Sequence, residues 1–200
     1  MEQIRGKLSD LERKRSRLTD AGLLDKEAQS HFEVPSAIDS SKADVLSVYI
    51  DDVKQKLGVF DRLFAKIDLF RSILNRRFLF KTVSVNKNQG VVFHTSAGTP
   101  LAPSSLSSGE QHEVVLLYQL LFEVKPKSLI LIDEPELSLH ILWQEQFLRD
   151  LADITALSDF DVLIATHSPQ IISDRWDLTV ELKGPNGCRN TSPTTRSLTP

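Results

Sequence analysis

Cysteine is almost missing from this chain: Cys188 is the single one in 200 residues. One thiol excludes an intramolecular disulfide, so the fold must rest on its core, and the composition suits a reducing, cytoplasmic setting. No apolar run approaches the roughly 20 residues of a membrane span, and the first residues are too polar for a secretory signal. A soluble chain without a membrane role is expected. An excess of charge is missing too. Lys and Arg number 24 against 27 Asp and Glu, a net charge of −3, which excludes a global pull toward nucleic acid or anionic lipid and leaves only local contacts. Histidines are few, and no pair among His94, His112, His140 and His167 has ligand spacing, which argues against a zinc enzyme. What is present, 40% hydrophobic and 26% charged residues, suffices for one domain with a real core.

The most informative stretch runs from Lys127 to His140. Ser128 to Ile132 is apolar without alternation, which predicts a strand buried on both faces of a largely parallel sheet in an α/β fold. It ends in two adjacent carboxylates, Asp133 and Glu134. An unpaired carboxylate is costly to bury, so the pair belongs at the carboxyl edge of the sheet, where open α/β sheets bind ligands. Such a pair suits metal-assisted hydrolysis: one carboxylate holds the water shell of Mg²⁺ and the next orients or deprotonates an attacking water. A strand ending in a polar turn at Pro135 accounts for the same residues without any chemistry.

Upstream, Ile4, Leu8, Leu11 and Leu18 predict a helix with a narrow apolar stripe, interrupted by Arg15. It reads as the end of a longer helical element or as a partner-dependent helix. Arg13, Lys14, Arg15 and Arg17 could touch phosphates, but Glu2, Asp10, Glu12 and Asp20 dilute them, and a solvated face is the plainer reading. Residues 21–42, with Gly22, Pro35 and Ser40, form a connector, so 1–42 is a charged helix and linker. Within 43–77, Val45, Tyr49, Val53 and Leu57 precede a break near Gly58, and Phe60, Leu63, Phe64, Ile67, Phe70 and Leu74 follow. This spacing predicts a packed pair of helices. The period then falls to two over Phe78 to Val85 and again over Val91 to Thr95, which predicts a hairpin.

In Leu101 to Glu123, Ser107-Ser108-Gly109-Glu110 has the form of a capping box opening a helix whose Val114, Val115, Leu117, Tyr118, Leu121 and Phe122 should be largely buried. A capped helix explains the pattern. The same geometry also makes an anion site, because free N–H groups and the positive end of the helix dipole point outward. Downstream, Trp143, Phe147, Leu151 and Ile154 mark an amphipathic helix, and Val162 to Ala165 a second buried strand. That strand leads to Thr166-His167-Ser168-Pro169, an ordinary helix start with Ser168 as cap and Pro169 at the first position. Leu178 to Leu182 suggests a last strand, and 184–200, rich in Pro, Ser and Thr, a disordered tail.

Taken in order, Leu106-Ser107-Ser108-Gly109-Glu110-Gln111, then Ile132-Asp133-Glu134-Pro135-Glu136, then Thr166-His167-Ser168 resembles the signature motif, the Walker B strand with its D-loop, and the switch histidine of ATP-binding-cassette ATPases. The resemblance covers residues 78–183. It implies the C-terminal part of a P-loop NTPase domain of that type, a largely parallel sheet flanked by helices, preceded here by a helical segment. It also implies that ATP and Mg²⁺ are the cofactors and that ATP is sandwiched between two subunits. Asp133 would then hold Mg²⁺ through water, Glu134 would be the general base, and His167 would face the γ-phosphate. Ser107, Ser108, Gly109 and Glu110 would meet the nucleotide of the opposite subunit. Ser108 and Glu110 stand where transporters usually have glycine and glutamine, and His140 replaces the aspartate that closes their D-loop. With those departures the chain is more similar to the soluble AAA-family branch, which includes RecF- and SMC-type repair proteins and ATPases of Septu and retron defence systems. Nucleic acid or a defence effector is the partner that the branch implies.

A nucleotide site of this class also needs a Gly-x-x-x-x-Gly-Lys-Ser/Thr loop to cradle the phosphates. The 200 residues contain none: Gly6-Lys7 is followed by Leu8, and Met1 stands five residues before Gly6. A Q-loop is not identifiable either. The expectation is therefore a C-terminal half of a cassette ATPase, with the phosphate loop supplied by a partner or a segment encoded elsewhere, acting as a dimer and inactive alone. The alternative is a non-catalytic dimerisation or regulatory lobe. No nuclease-like acidic cluster follows the strand motifs.

Overall fold

The computed structural model describes residues 2–25 and 40–182. Among these described residues, six α-helices and five strands pack around two hydrophobic clusters. Helix α1 (Glu2–Asp20) lies against α2 (Ser40–Gly58), and α3 (Asp61–Arg77) leads into an antiparallel sheet of β1 (Lys81–Asn86), β2 (Gly90–Thr95) and the short β3 (Pro100–Leu101). Helix α4 (Ser108–Tyr118) runs on into a π turn at Gln119–Glu123. Strand β4 (Leu129–Asp133), helix α5 (Ile141–Ser158) and strand β5 (Asp161–Ala165) then make a parallel crossover, and α6 (Pro169–Ile172) follows.

The stripe of α1 is core. Leu8, Leu11 and Leu18 are buried with Ile50 and Leu57 of α2, and Phe60 and Phe64 pack beside them. Fully burying such side chains stabilises by roughly 1.5–3 kcal/mol each. Helix α1 is the main partner of α2, and α3 joins this cluster through Phe64. Most of the apolar face of α3 turns instead to the second cluster, where Phe70, Ile73 and Leu74 meet Val83, Phe93, Leu117, Leu121, Phe147, Leu151 and Ile154. Helix α1 closes on Gly22, whose neighbour Leu23 donates its N–H to the Leu18 carbonyl at 2.9 Å. At Gly22 φ is +73°, and an added Cβ would sit 2.6 Å from the Val85 carbonyl oxygen, so the helical unit meets β1 where only glycine fits.

Four expectations are corrected. Phe78 caps α3 and Leu79 and Phe80 form a turn, with φ +60° at Phe80, so the hairpin strand starts only at Lys81. Strand β4 is not buried on both faces. Ile130 and Ile132 enter the core, but Leu129, Leu131 and, on β5, Leu163 are 61%, 70% and 62% exposed, because no element among the described residues covers that face. Val115 and Tyr118 of α4 are exposed for the same reason that any surface helix keeps an outer face. No strand forms near Leu178: Trp176–Leu178 is a 3-10 turn, and Val180 and Leu182 are exposed with no described strand to pair with. The connector beyond Asp25 and the tail from residue 183 lie outside the described residues.

A buried ionic cluster ties three helices together. Arg77 of α3 contacts both Glu113 of α4 and Asp150 of α5, and Arg76 also reaches Asp150. Burial works to lower the Arg77 pKa, and the neighbouring Asp150 opposes it, with a net shift downward. The helix that starts at Ser108 and the helix that follows the acidic turn are thereby fixed to one another.

Candidate functional site

Parallel pairing brings the two strand ends together. Asp133 is in register with Ala165, and the Glu134 N–H donates to the Ala165 carbonyl at 2.8 Å. The chain therefore leaves both strands at one level, with the acidic pair on one exit and Thr166-His167 on the other. Glu134 adopts a left-handed conformation, φ +43° and ψ +56°, uncommon for a residue with a side chain. There the chain turns sharply into the 3-10 turn Pro135–Leu137. Strain of this kind collects at functional sites. Asp133 is exposed at the strand end.

His167 reaches across the gap. Its Nδ1 lies 3.4 Å from Glu134 Oε1 and 3.3 Å from Glu136 Oε1. The imidazole is 72% exposed and the Glu134 side chain 44%, so both are open to a ligand, while the Glu136 side chain is only 8% exposed. Glu136 Oε1 also accepts from the Thr166 hydroxyl at 2.7 Å and from the His167 N–H at 3.2 Å. Burial tends to raise the Glu136 pKa, but the hydrogen bonds from its own N–H, Thr166 and His167, with the charge of His167, outweigh it and hold the group below its ordinary value. A further link runs through Gln144 of α5. Its Nε2 donates to the Glu136 and Leu139 carbonyls at 3.2 Å each, and its Oε1 accepts from the Ser168 hydroxyl at 3.2 Å. Ser168 precedes Pro169 as expected, but its hydroxyl serves Gln144 and Gln170 instead of capping α6.

The serine-glycine helix start forms the expected capping box. The Glu110 N–H donates to Ser107 Oγ at 3.3 Å, and the Ser107 N–H donates to Glu110 Oε2 at 2.8 Å. Ser107 and Ser108 are exposed, so the tip is open to solvent rather than buried in its own chain. A Cβ on Gly109 would come within 3.9 Å of the Ser138 carbonyl, which sets this tip beside the turn after β4. Glu110 faces inward: both carboxylate oxygens lie 2.7 Å from Lys81 Nζ. Burial raises its pKa, yet the bonds from Lys81 and Ser107 prevail and hold it below the usual value. Its side chain is occupied as a cap. No hydrogen bond or ion pair among the described residues joins Ser107 to Gly109 directly to Glu134 or His167. His140 caps α5, its Nδ1 accepting from the Leu142 N–H at 3.3 Å.

Among the described residues no group of three or more His, Cys, Asp or Glu could hold a metal ion. Mg²⁺ keeps several waters and takes only one or two carboxylates along with substrate phosphates. Asp133 fits that partial role and would need phosphate oxygens to complete the shell. No helix among the described residues is long and apolar enough to cross a membrane.

Residues 4–173 match the family described as "AAA domain, putative AbiEii toxin, Type IV TA system". The chain belongs to this family. The match to this AAA-domain family begins in α1, so the helical unit lies within it together with the strand motifs. Membership in this AAA-domain family supports an α/β P-loop fold. Protein ea59 of Escherichia phage lambda is 38% identical over 69 residues, 34% of this chain and 13% of that protein. The chain thus spans about an eighth of the length of the curated relative it matches.

Of the residues singled out from sequence, Glu134 and His167 come together, Asp133 stands beside them, and Ser107 to Gly109 form a separate exposed tip. Glu136, Thr166 and Gln144 were not singled out. Glu136 was visible as a third acid in the motif, but its role depends on donors that only the fold brings to it.

Proposed function

We propose that this chain is the ATP-hydrolysing half of a cassette-type AAA-family ATPase that works as a dimer. The observation that carries the reading is the 3.4 Å approach of His167 Nδ1 to Glu134 Oε1 at adjacent parallel strand ends. Glu134 would accept a proton from the water attacking the terminal phosphate. His167 would hold that water or a γ-phosphate oxygen. Asp133 would hold the water shell of Mg²⁺, which when bound neutralises phosphate charge. The exposed Ser107 to Gly109 tip, whose N–H groups favour anions, would meet the nucleotide held by the other subunit.

A phosphate-cradling Gly-x-x-x-x-Gly-Lys loop is not in these residues, so that loop would come from a partner or from another segment. The exposed apolar face of β4 and β5, and the edge of β5 away from β4, suit a lobe of that kind, since parallel sheets are normally covered on both faces. A non-catalytic dimerisation or regulatory lobe is the second reading, favoured by the same lack of a loop. The family description names a toxin of a toxin–antitoxin system. DNA repair and anti-phage defence both remain settings for such an ATPase, with nucleic acid or an effector protein as the partner.

The deciding experiment is Glu134→Gln in the assembly reconstituted with a phosphate-loop lobe. Turnover should fall by about 10²–10⁴, with an ATP-bound dimer accumulating in light scattering. Unchanged turnover sinks the hydrolytic reading, and a wild-type assembly without ATPase activity favours the regulatory one.

A further inference from the structure

We infer that Glu136 is the positioning residue of this site: its buried carboxylate holds His167 in the Nδ1–H form, leaving Nε2 for the ligand. The inference concerns a residue that the hydrolytic reading does not use, and it rests on that reading only for what Nε2 would touch.

A histidine on an exposed turn can rotate and exchange its ring proton between two nitrogens. Which nitrogen carries the proton is set by the partner of the other. Two carboxylates lie within reach of Nδ1, and they are not equivalent. Glu134 is half exposed, so water competes for it. Glu136 is buried, and its Oε1 is gripped by the Thr166 hydroxyl and the His167 backbone N–H. These two donors come from the same turn that carries the imidazole, so the acceptor and the ring move as one body. The Glu136 carbonyl is held in turn by Gln144, whose other end accepts from Ser168 on the far side of His167. The turn after β4 and the turn after β5 are thus clamped together from both ends. An ionised carboxylate is a strong acceptor for Nδ1–H, and these bonds fix where its Oε1 lies relative to the ring. Nε2, on a ring 72% exposed, is then the nitrogen presented outward, an acceptor for a hydrogen of the attacking water while the ring is neutral and a donor to a phosphate oxygen only when both nitrogens carry protons.

The test is the tautomer of His167, read from long-range ¹H–¹⁵N spectra of the full chain at about pH 8, above the usual imidazole range. The wild type should show Nδ1–H as the major form. Glu136→Ala should reverse the preference to Nε2–H, Glu136→Gln should retain Nδ1–H because its amide oxygen still accepts, and Glu134→Ala should leave the ratio as it is. The inference is overturned if a folded Glu136→Ala chain keeps the wild-type tautomer, or if Glu134→Ala is the variant that reverses it. Should Glu136→Ala not fold, Glu136→Leu removes the acceptor while keeping the side-chain bulk and must lower the Nδ1–H fraction; an unchanged fraction overturns the inference equally. Failure of the hydrolytic reading is separable. A tautomer governed by Glu136 with turnover indifferent to Glu134→Gln keeps the positioning role and removes the ATPase, and the opposite pair of results does the reverse.

Discussion

The Nδ1 of His167 sits 3.4 Å from Oε1 of Glu134 although the two residues leave different strands. The contact follows from register. With Asp133 opposite Ala165 and the Glu134 N–H on the Ala165 carbonyl, the residues just beyond each strand are forced to one level. A shift of one residue would turn either strand over and carry its side chains to the wrong face. Pairing and core burial of Ile130, Ile132, Val162 and Ile164 therefore set the geometry of the acid and the histidine.

In the assembly with a phosphate-loop lobe, His167→Ala should lower turnover by about 10²-fold, the loss usual for one preorganised polar group at a reacting centre. Nucleotide affinity measured by calorimetry should change little, because the ring is exposed and acts at the reacting atoms. An equal loss of affinity and turnover would show that His167 serves binding alone.

The chain alone should bind Mg-ATP weakly or not at all. Asp133 is one carboxylate, and no described group of three could hold the metal without phosphate oxygens fixed by a loop. Micromolar binding in calorimetry of the isolated chain would contradict the need for a second lobe.

Arg77→Ala should destabilise the chain by about 3–5 kcal/mol, since it leaves Glu113 and Asp150 buried without their cation. Urea denaturation measures this. Replacing all three residues together by apolar ones of similar volume should restore much of the loss, because an apolar cluster carries no charge to desolvate. If the triple variant were no better than Arg77→Ala, the cost would lie in packing rather than in unpaired charge.

Motif-level parts of this architecture were legible in sequence because they are local. Ser107 and Glu110 cap their own helix, and an apolar run ending in Asp133-Glu134 needs only its neighbours to be recognised. Relations across the chain were not. Nothing local marks Arg77, Glu113 and Asp150 as partners, and only the packing of α3, α4 and α5 makes them so. A uniformly apolar strand gives no sign that Leu129 and Leu131 face outward while Ile130 and Ile132 face the core. The stripe on α1 predicted a helix but could not name α2 as its partner, and Glu136 gained its role only through Thr166 and His167.

Acid sensitivity should trace in part to Glu110. Its folded pKa lies below the ordinary 4.5 because Lys81 and Ser107 hold the charged form despite burial. A depressed carboxylate contributes stability that is complete above the unfolded value and is lost as pH falls through the folded one. The urea midpoint should stay level from about pH 6 to 8 and decline below about 4.5. Glu110→Gln should lower the plateau and make the acid limb shallower, whereas an acid limb of unchanged slope would mean that other carboxylates dominate it.

The open face of the parallel pair gives the sharpest separation between stability and assembly. Leu131 and Leu163 lie opposite one another in register and are 70% and 62% exposed. Neither contributes to the core of this chain, so Leu131→Lys or Leu163→Lys should alter its urea stability by no more than about 0.5 kcal/mol. If a phosphate-loop lobe covers this face, the same lysines would be buried against it without a partner, at a cost of several kcal/mol. ATPase activity on mixing, and co-elution of the two lobes, should then be lost while the chain itself remains folded. Retention of both with either lysine in place would move the docking surface elsewhere, to the free edge of β5, where a backbone pairing is indifferent to side chains on the open face.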